Sequence, residues 1–209
     1  MTDTQTRTLI LASDYRVPDP SRVWPLLQRR RAELAGIGAH HVVVYASTWE
    51  HGRVLVTIGI RNPEPVVDLL RSRVWFDWFD AVGVTDIPGV FAGEMVERLG
   101  VSAAIEDAPP GIVVAAMTSV GDVSMLVERV HGAIGRFGAA GVRKVWVYQA
   151  FDDPHEVLIL QEIDSDENAR RWIDNPDEVA EWMVGAGVGP YPPLFVGEFV
   201  NVMRIEENL

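Results

Sequence analysis

The sequence predicts an α+β fold made of two copies of one β-α-β-β-α-β unit. Three observations lead to this prediction. The second half of the chain repeats the first at a nearly constant shift. Each half also shows the same order of strand-like and helix-like patterns, and its strands are too apolar to leave one face of a sheet in water.

The repeat is clearest near the end of each half. Both halves carry the pattern W-x4-G-V-x3-P-x2-F-x-G-E-x-V, from Trp78 to Val96 and again from Trp182 to Val200. Earlier positions align without gaps, as in the pair Tyr45 and Tyr148. We therefore predict a first unit at residues 1–100, a second at 111–209, and a linker at 101–110 that runs into a Pro-Pro-Gly loop signal.

Each unit reads as strand, helix, hairpin, helix and strand. In the first half "TLILAS" predicts a buried strand, and "HHVVVYAST" with "VLVTIGI" predicts a hairpin. Asp19 is the expected N-cap of the first helix, and Asn62-Pro63 the expected start of the second. In the second half, Asp122 and Asp164 take these roles, the latter with Glu167 three residues on.

Such a unit has the split βαβ order of ferredoxin-like domains, whose helices cover only one face of the sheet. The other face also needs cover, because runs such as "VLVTIGI" and "VLILQEI" barely alternate. We therefore expect the bare face of one sheet to pack against that of the other.

The element order and the segment "WIDNPDEVAEWMVGAGVGPYPPLFVGEFV" resemble antibiotic-biosynthesis-monooxygenase-like domains of the dimeric α+β barrel superfamily. Two such units are fused here into one chain. The resemblance covers nearly the whole chain but implies a shape that hosts many activities. They include cofactorless oxygenases, lactone isomerases, haem-degrading enzymes, the chlorite dismutase group and domains of unknown role.

The resemblance implies binding of a small apolar or aromatic molecule, with cofactor-independent monooxygenase or isomerase activity as one interpretation. A non-catalytic ligand-binding or scaffold protein is the alternative. Haem binding, as in the chlorite dismutase group, is a second alternative. Whether the protein is an enzyme stays open at this point.

The amino-acid composition limits the classes of partner that the protein is expected to bind. A net charge of −12 disfavours nucleic acid and anionic membranes. No cysteine is present, which excludes thiolate nucleophiles and Cys-ligated metals. With neither a signal-peptide pattern nor a long apolar run, we expect a cytoplasmic pseudo-dimer, with further self-association left open.

Four residues are candidates for catalysis. Glu94 and Glu198 occupy equivalent positions in apolar strands, where burial would raise their pKa and suit acid–base work. Tyr45 and Tyr148 could offer hydroxyls to a phenolic substrate. Each residue also has a structural interpretation. The glutamates would accept hydrogen bonds from the backbone or pair with an arginine, and the tyrosines would be core aromatic residues.

Further residues could line a ligand pocket. Trp75, Trp78 and Phe79 lie in the most aromatic segment, and Trp182 repeats Trp78. Core packing competes with the pocket interpretation. His131 is the only candidate axial ligand for haem, and no pair of histidines has metal-binding spacing. We therefore expect no metal and no cofactor, with haem as the exception to test.

Overall fold

The computed structural model describes residues 8–61, 73–101, 111–174 and 193–206, apart from the side chains of residues 73–76. In this part of the chain the first half forms β1 (Leu9–Arg16), a 3-10 turn (Pro20–Arg22), α1 (Val23–Arg29), α2 (Arg31–Gly36), β2 (Ala39–Ser47), β3 (Arg53–Ile60), α3 (Arg73–Val82) and β4 (Gly89–Gly100). The second half forms β5 (Ile112–Ser119), α4 (Val123–Gly132), α5 (Ile134–Ala139), β6 (Val142–Ala150), β7 (Glu156–Ile163), α6 (Asp166–Ile173) and β8 (Leu194–Arg204). This order confirms the predicted α+β fold.

The strands close into one barrel in the order β1-β3-β2-β8-β5-β7-β6-β4. Neighbouring strands pair antiparallel within each half, as β4-β1-β3-β2 and as β8-β5-β7-β6. The two sheets are joined where β2 pairs with β8 and where β4 pairs with β6. Because β4 and β8 each pair across the two halves, closure leaves neither sheet with a free edge.

The repeated F-x-G-E-x-V motif explains how one strand can serve two sheets. Phe91 and Phe195 fill the barrel interior with at most 2% exposure. A Cβ at Gly93 would lie 2.2 Å from the Gln149 carbonyl oxygen, so only glycine permits that close approach of β4 and β6. Gly197 is equally close to the backbone of β2.

The valine of the motif marks the point where each strand changes register. Val96 is the extra residue in the pairing of β4 with β6, and Val200 is the extra residue in that of β8 with β2. Such β-bulges bend and twist a strand. The motif therefore encodes barrel closure, once per half.

Three apolar cores fill the molecule. One lies inside the barrel and includes Leu55, Leu158 and both motif phenylalanines. The second lies between the helices and the sheet of the first half. The third lies between the helices and the sheet of the second half. We call these three compartments the lumen, the first layer and the second layer.

Two of the predicted helix caps are confirmed, and one is wrong. The Asp19 carboxylate accepts from the Ser21 amide at 3.1 Å, and the Asp122 carboxylate accepts from the Met125 amide at 3.0 Å. The cap of α6 is Ser165, not Asp164, because the Ser165 hydroxyl accepts from the Asn168 amide at 3.2 Å. Asp164 instead accepts from the Asn168 side chain.

Two further predictions fall outside the described residues. The expected cap at Asn62-Pro63 is one, and most of the linker at 101–110 is the other, so the predicted unit boundaries stay predictions. Within the described ranges, no helix is long and apolar enough to cross a membrane.

Candidate functional site

The first layer contains a tyrosine in its apolar core, where a polar group is unexpected. Tyr15, near the end of β1, is 2% exposed and packs edge-on against Phe79 of α3, with ring centroids 5.5 Å apart. Trp78 is buried beside it, and the Arg30 guanidinium lies 5.8 Å from the Trp78 ring. The layer is therefore an aromatic wall that holds the Tyr15 hydroxyl, with the buried Ser13 on the same face of β1.

The hydroxyl of Tyr15 is buried and has no partner of normal hydrogen-bond geometry in the described part of the chain. Burial raises the pKa of Tyr15 above its ordinary value, and the neighbouring Trp78 side chain opposes that shift only in part. The group is thus a neutral phenol, able to donate a hydrogen bond but unsuited to act as a base. A buried polar atom without a partner costs about 1–3 kcal/mol, so it calls for an explanation.

The second layer has the opposite arrangement. Its buried polar groups satisfy each other, because the Trp172 indole N–H donates to the Gln161 side-chain oxygen at 3.0 Å. Phe137 packs edge-on against Trp172 at 5.7 Å. The position equivalent to Tyr15 is Thr118. Neither member of this Trp172–Gln161 pair is therefore left without a partner.

The two candidate carboxylates lie on the outer, helix-facing side of the barrel. Glu94 is half-buried and pairs across the sheet with Leu9, at the end of β1 opposite Tyr15. Glu198 is exposed and pairs across with Ile112. The structure therefore does not bring Glu94 or Glu198 together with the candidate tyrosines, and their catalytic role stays a prediction.

Tyr45 and Tyr148 face the lumen instead. Burial raises the pKa of both hydroxyls, that of Tyr148 to about 12. The charge of Glu162 and the nearby Tyr148 raise the pKa of Tyr45 further, whereas Arg98 opposes the shift of Tyr148. These two tyrosines are thus close neighbours, separated by the sheet from Trp78 and Phe79.

The remaining candidates are placed as follows. His131 is 53% exposed on α4, and its Nε2 atom lies 2.8 Å from a carboxylate oxygen of Glu97. An exposed side chain that contacts Glu97 in this way does not point into an enclosed pocket. Trp182 and the side chain of Trp75 lie outside the described residues.

A cleft of about 610 Å³ opens beside α4 in the second half. Its lining mixes valines with acidic and amide side chains, including Val96, Val127, Asp122, Glu128 and Gln149. None of the predicted site residues lines this cleft. Within the described ranges no group of three or more His, Cys, Asp or Glu residues could hold a metal ion.

Solved structures resemble the whole chain. An anthrone oxidase-like protein superimposes with a TM-score of 0.71 at 15% identity, covering 100% of this chain and 98% of the other. The chain has the dimeric α+β barrel fold. This confirms the predicted fold class and the sequence resemblance.

Other solved structures with this barrel belong to proteins whose names describe different activities. A monooxygenase-like protein from Listeria innocua has a TM-score of 0.54 at 11% identity, covering 94% of this chain and 96% of the other. A haem-binding protein from Thermus thermophilus has a TM-score of 0.55 at 16% identity, covering 93% and 92%. The sequence itself matches no family model and no curated protein. At these identities the likeness establishes the barrel alone.

Sequence reasoning missed Tyr15. In "LILASDYR" the residue alternates with Leu9 and Leu11 on the face that packs against the helices, and that pattern was the available signal. What the sequence could not supply was the absence of a hydrogen-bond partner, which depends on residues far away in the chain.

Proposed function

We propose that the protein binds a small apolar or aromatic molecule carrying a carbonyl or phenolic oxygen, held between α3 and the sheet of the first half. The observation behind this proposal is the buried hydroxyl of Tyr15, which makes no hydrogen bond of normal geometry to a described residue. Ligand sites are mostly apolar, with a few polar groups that fix the orientation of the ligand. Tyr15 among Trp78 and Phe79 has this composition.

The chemistry of the hydroxyl limits the role of Tyr15. Because its pKa is raised, the phenol stays protonated at neutral pH and donates to the ligand's oxygen. Such a donor also stabilises negative charge that develops on that oxygen when a carbon acid loses a proton. The arrangement thus supports binding of the ligand by a hydrogen bond to its oxygen. It also supports an oxygenase or isomerase reaction, in which the same hydrogen bond stabilises the charge on that oxygen.

An anthrone is a suitable first ligand, since the similar structure named above is anthrone oxidase-like and an anthrone is a flat aromatic ketone. We propose oxygenation as the finer function, in which anthrone and O₂ give anthraquinone and water. Binding without turnover would identify the non-catalytic alternative. We do not propose haem binding through His131, because that side chain is exposed and paired with Glu97.

The test compares wild type, Tyr15→Phe and the matched control Thr118→Val, which alters the equivalent position of the second half. Each protein is titrated with anthrone and with 9,10-dihydroanthracene, which has the same three rings but no oxygen. Loss of one hydrogen bond predicts about tenfold weaker anthrone binding by Tyr15→Phe. Binding of dihydroanthracene should stay unchanged in every variant.

Stability supplies a second readout from the same proteins. Removing an unpaired buried hydroxyl should leave the ligand-free Tyr15→Phe protein as stable as wild type or more stable. A protein that is destabilised and binds anthrone normally would show that the hydroxyl serves the fold, and the proposal would fail.

A further inference from the structure

Two exposed arginines lie at one end of the barrel, although the chain carries a net charge of −12. At this end β4 and β8 finish and β6 begins. Arg98 pairs across the sheet with Trp146, and Arg204 pairs across with His41. Cross-strand partners share a face, so both arginines lie on the face of the sheet that lines the lumen. We call Arg98, Trp146, Val43, Val202 and Arg204 the barrel mouth.

The mouth is open to solvent. Val202 pairs with Val43 on the lumen face but is 47% exposed, and both Arg98 and Arg204 are exposed. Further in, Phe91 and Phe195 are at most 2% exposed. An eight-stranded barrel is just wide enough to be filled by side chains or to hold one small ligand. The mouth residues are therefore accessible to a ligand from solvent, whereas the centre is not.

Two neutral donors lie at the bottom of this space. Tyr148 is 6% exposed, and neither its hydroxyl nor that of Tyr45 makes a hydrogen bond to another described residue. Arg98 is close enough to Tyr148 to lower its pKa against the effect of burial. A cation and a phenol thus converge on the same part of the lumen.

One lumen-facing carboxylate at this end, Glu162, is already compensated. Glu162 lies 3.8 Å from the Arg143 guanidinium and 3.9 Å from the Lys144 ammonium. Its charge is therefore neutralised by two cations, which leaves the field of Arg98 and Arg204 to attract an anion. The equivalent positions in the first half are His40, His41 and Gly59, which add no carboxylate.

From this geometry we infer a second binding site, at the barrel mouth, for a small organic anion with an apolar body. Arg98 pairs with the carboxylate, since guanidinium and carboxylate match in geometry. The Tyr148 hydroxyl donates to the same group, and Trp146 with the two valines contacts the apolar body. The site lies on the other side of the sheet from Tyr15 and does not depend on the proposed function.

The experiment titrates the protein with 2-naphthoate and with its neutral analogue 2-naphthamide by isothermal titration calorimetry. We expect saturable binding of 2-naphthoate and at least about tenfold weaker binding of the amide. Arg98→Gln should raise the Kd for 2-naphthoate about tenfold and hardly change that for the amide. Tyr148→Phe should weaken naphthoate binding severalfold.

Two controls separate this site from other surfaces. Arg29→Gln removes the same charge from the exposed side of α1 and should leave binding unchanged. Tyr15→Phe alters the first layer and should also leave it unchanged, so this inference and the proposed function fail separately. The absence of saturable naphthoate binding would overturn the inference. It would also be overturned by binding that survives both Arg98→Gln and Tyr148→Phe, or that is lost in Tyr15→Phe.

Discussion

The two helix–sheet layers have the same architecture but differ in how their buried polar groups are hydrogen-bonded. In the second layer Trp172 and Gln161 satisfy each other, and Phe137 packs against Trp172. In the first layer the Tyr15 hydroxyl makes no hydrogen bond of normal geometry to a described residue. A duplicated fold can keep a site in one copy and use the other as scaffold. This difference is the reason for proposing the first layer as the site and the second as the scaffold.

The strongest test of this comparison removes the aromatic residue at the centre of each layer. Phe137 is fully buried, so Phe137→Ala should lower the free energy of unfolding by about 3–5 kcal/mol. Phe79→Ala should cost less, because Phe79 retains 8% exposure and borders the proposed site. Urea denaturation measures both values. Equal losses would show that the two layers are packed alike and would break the comparison.

The hydrogen bond of the second layer gives the next largest effect. Gln161→Leu leaves the Trp172 indole N–H buried without a partner and should cost about 1–3 kcal/mol. Adding Trp172→Phe removes that unpaired donor. The double variant should therefore lose less than the sum of the two single variants in a double-mutant cycle. Strict additivity would mean that the bond contributes nothing to the scaffold role.

A second contrast between the halves lies at the barrel mouth. The first half has His40 and His41, with their Nδ1 atoms 3.0 Å apart, where the second has Arg143 and Lys144. Burial lowers the pKa of both histidines, that of His41 to about 4, so the pair is neutral at pH 7.

This neutrality makes a prediction about pH. Above about pH 6.5 neither the folded nor the unfolded state protonates His41, and the stability is complete. As the pH falls from there to about 4, the unfolded chain binds a proton that the folded chain resists, so stability decreases. We expect a loss of about 1–2 kcal/mol, discounted because His41 is only partly buried. His41→Gln should flatten this part of the curve of urea midpoint against pH, and an unchanged slope would contradict the assignment.

The sequence could predict the features of the fold that depend on interactions between residues close together in the chain. The repeat, the strand patterns and the caps at Asp19 and Asp122 depend on near neighbours, and they gave the barrel correctly. The motif F-x-G-E-x-V was found as a repeat, but its role in closure needs the approach of β4 to β6, which no local pattern contains. Tyr15 was missed for the same reason, since an unpaired hydroxyl is a property of the packed layer.

The smallest expected effect concerns the two glutamates of that motif. Glu198 is exposed, so Glu198→Gln should change the free energy of unfolding by no more than about 0.5 kcal/mol. Glu94 is half-buried on the same face as Val90 and Ala92, which pack against the first layer, so Glu94→Gln should cost more, about 1 kcal/mol.

Ligand binding then separates a structural role of the glutamates from a functional one. If Glu94 acts in a first-layer site, Glu94→Gln alters anthrone binding or turnover, whereas Glu198→Gln leaves both unchanged. Equal effects on stability with no effect on the ligand would assign both carboxylates to the fold. The motif would then contribute its Phe, Gly and Val to barrel closure, and its glutamates would persist as parts of a duplicated strand with no share in the chemistry.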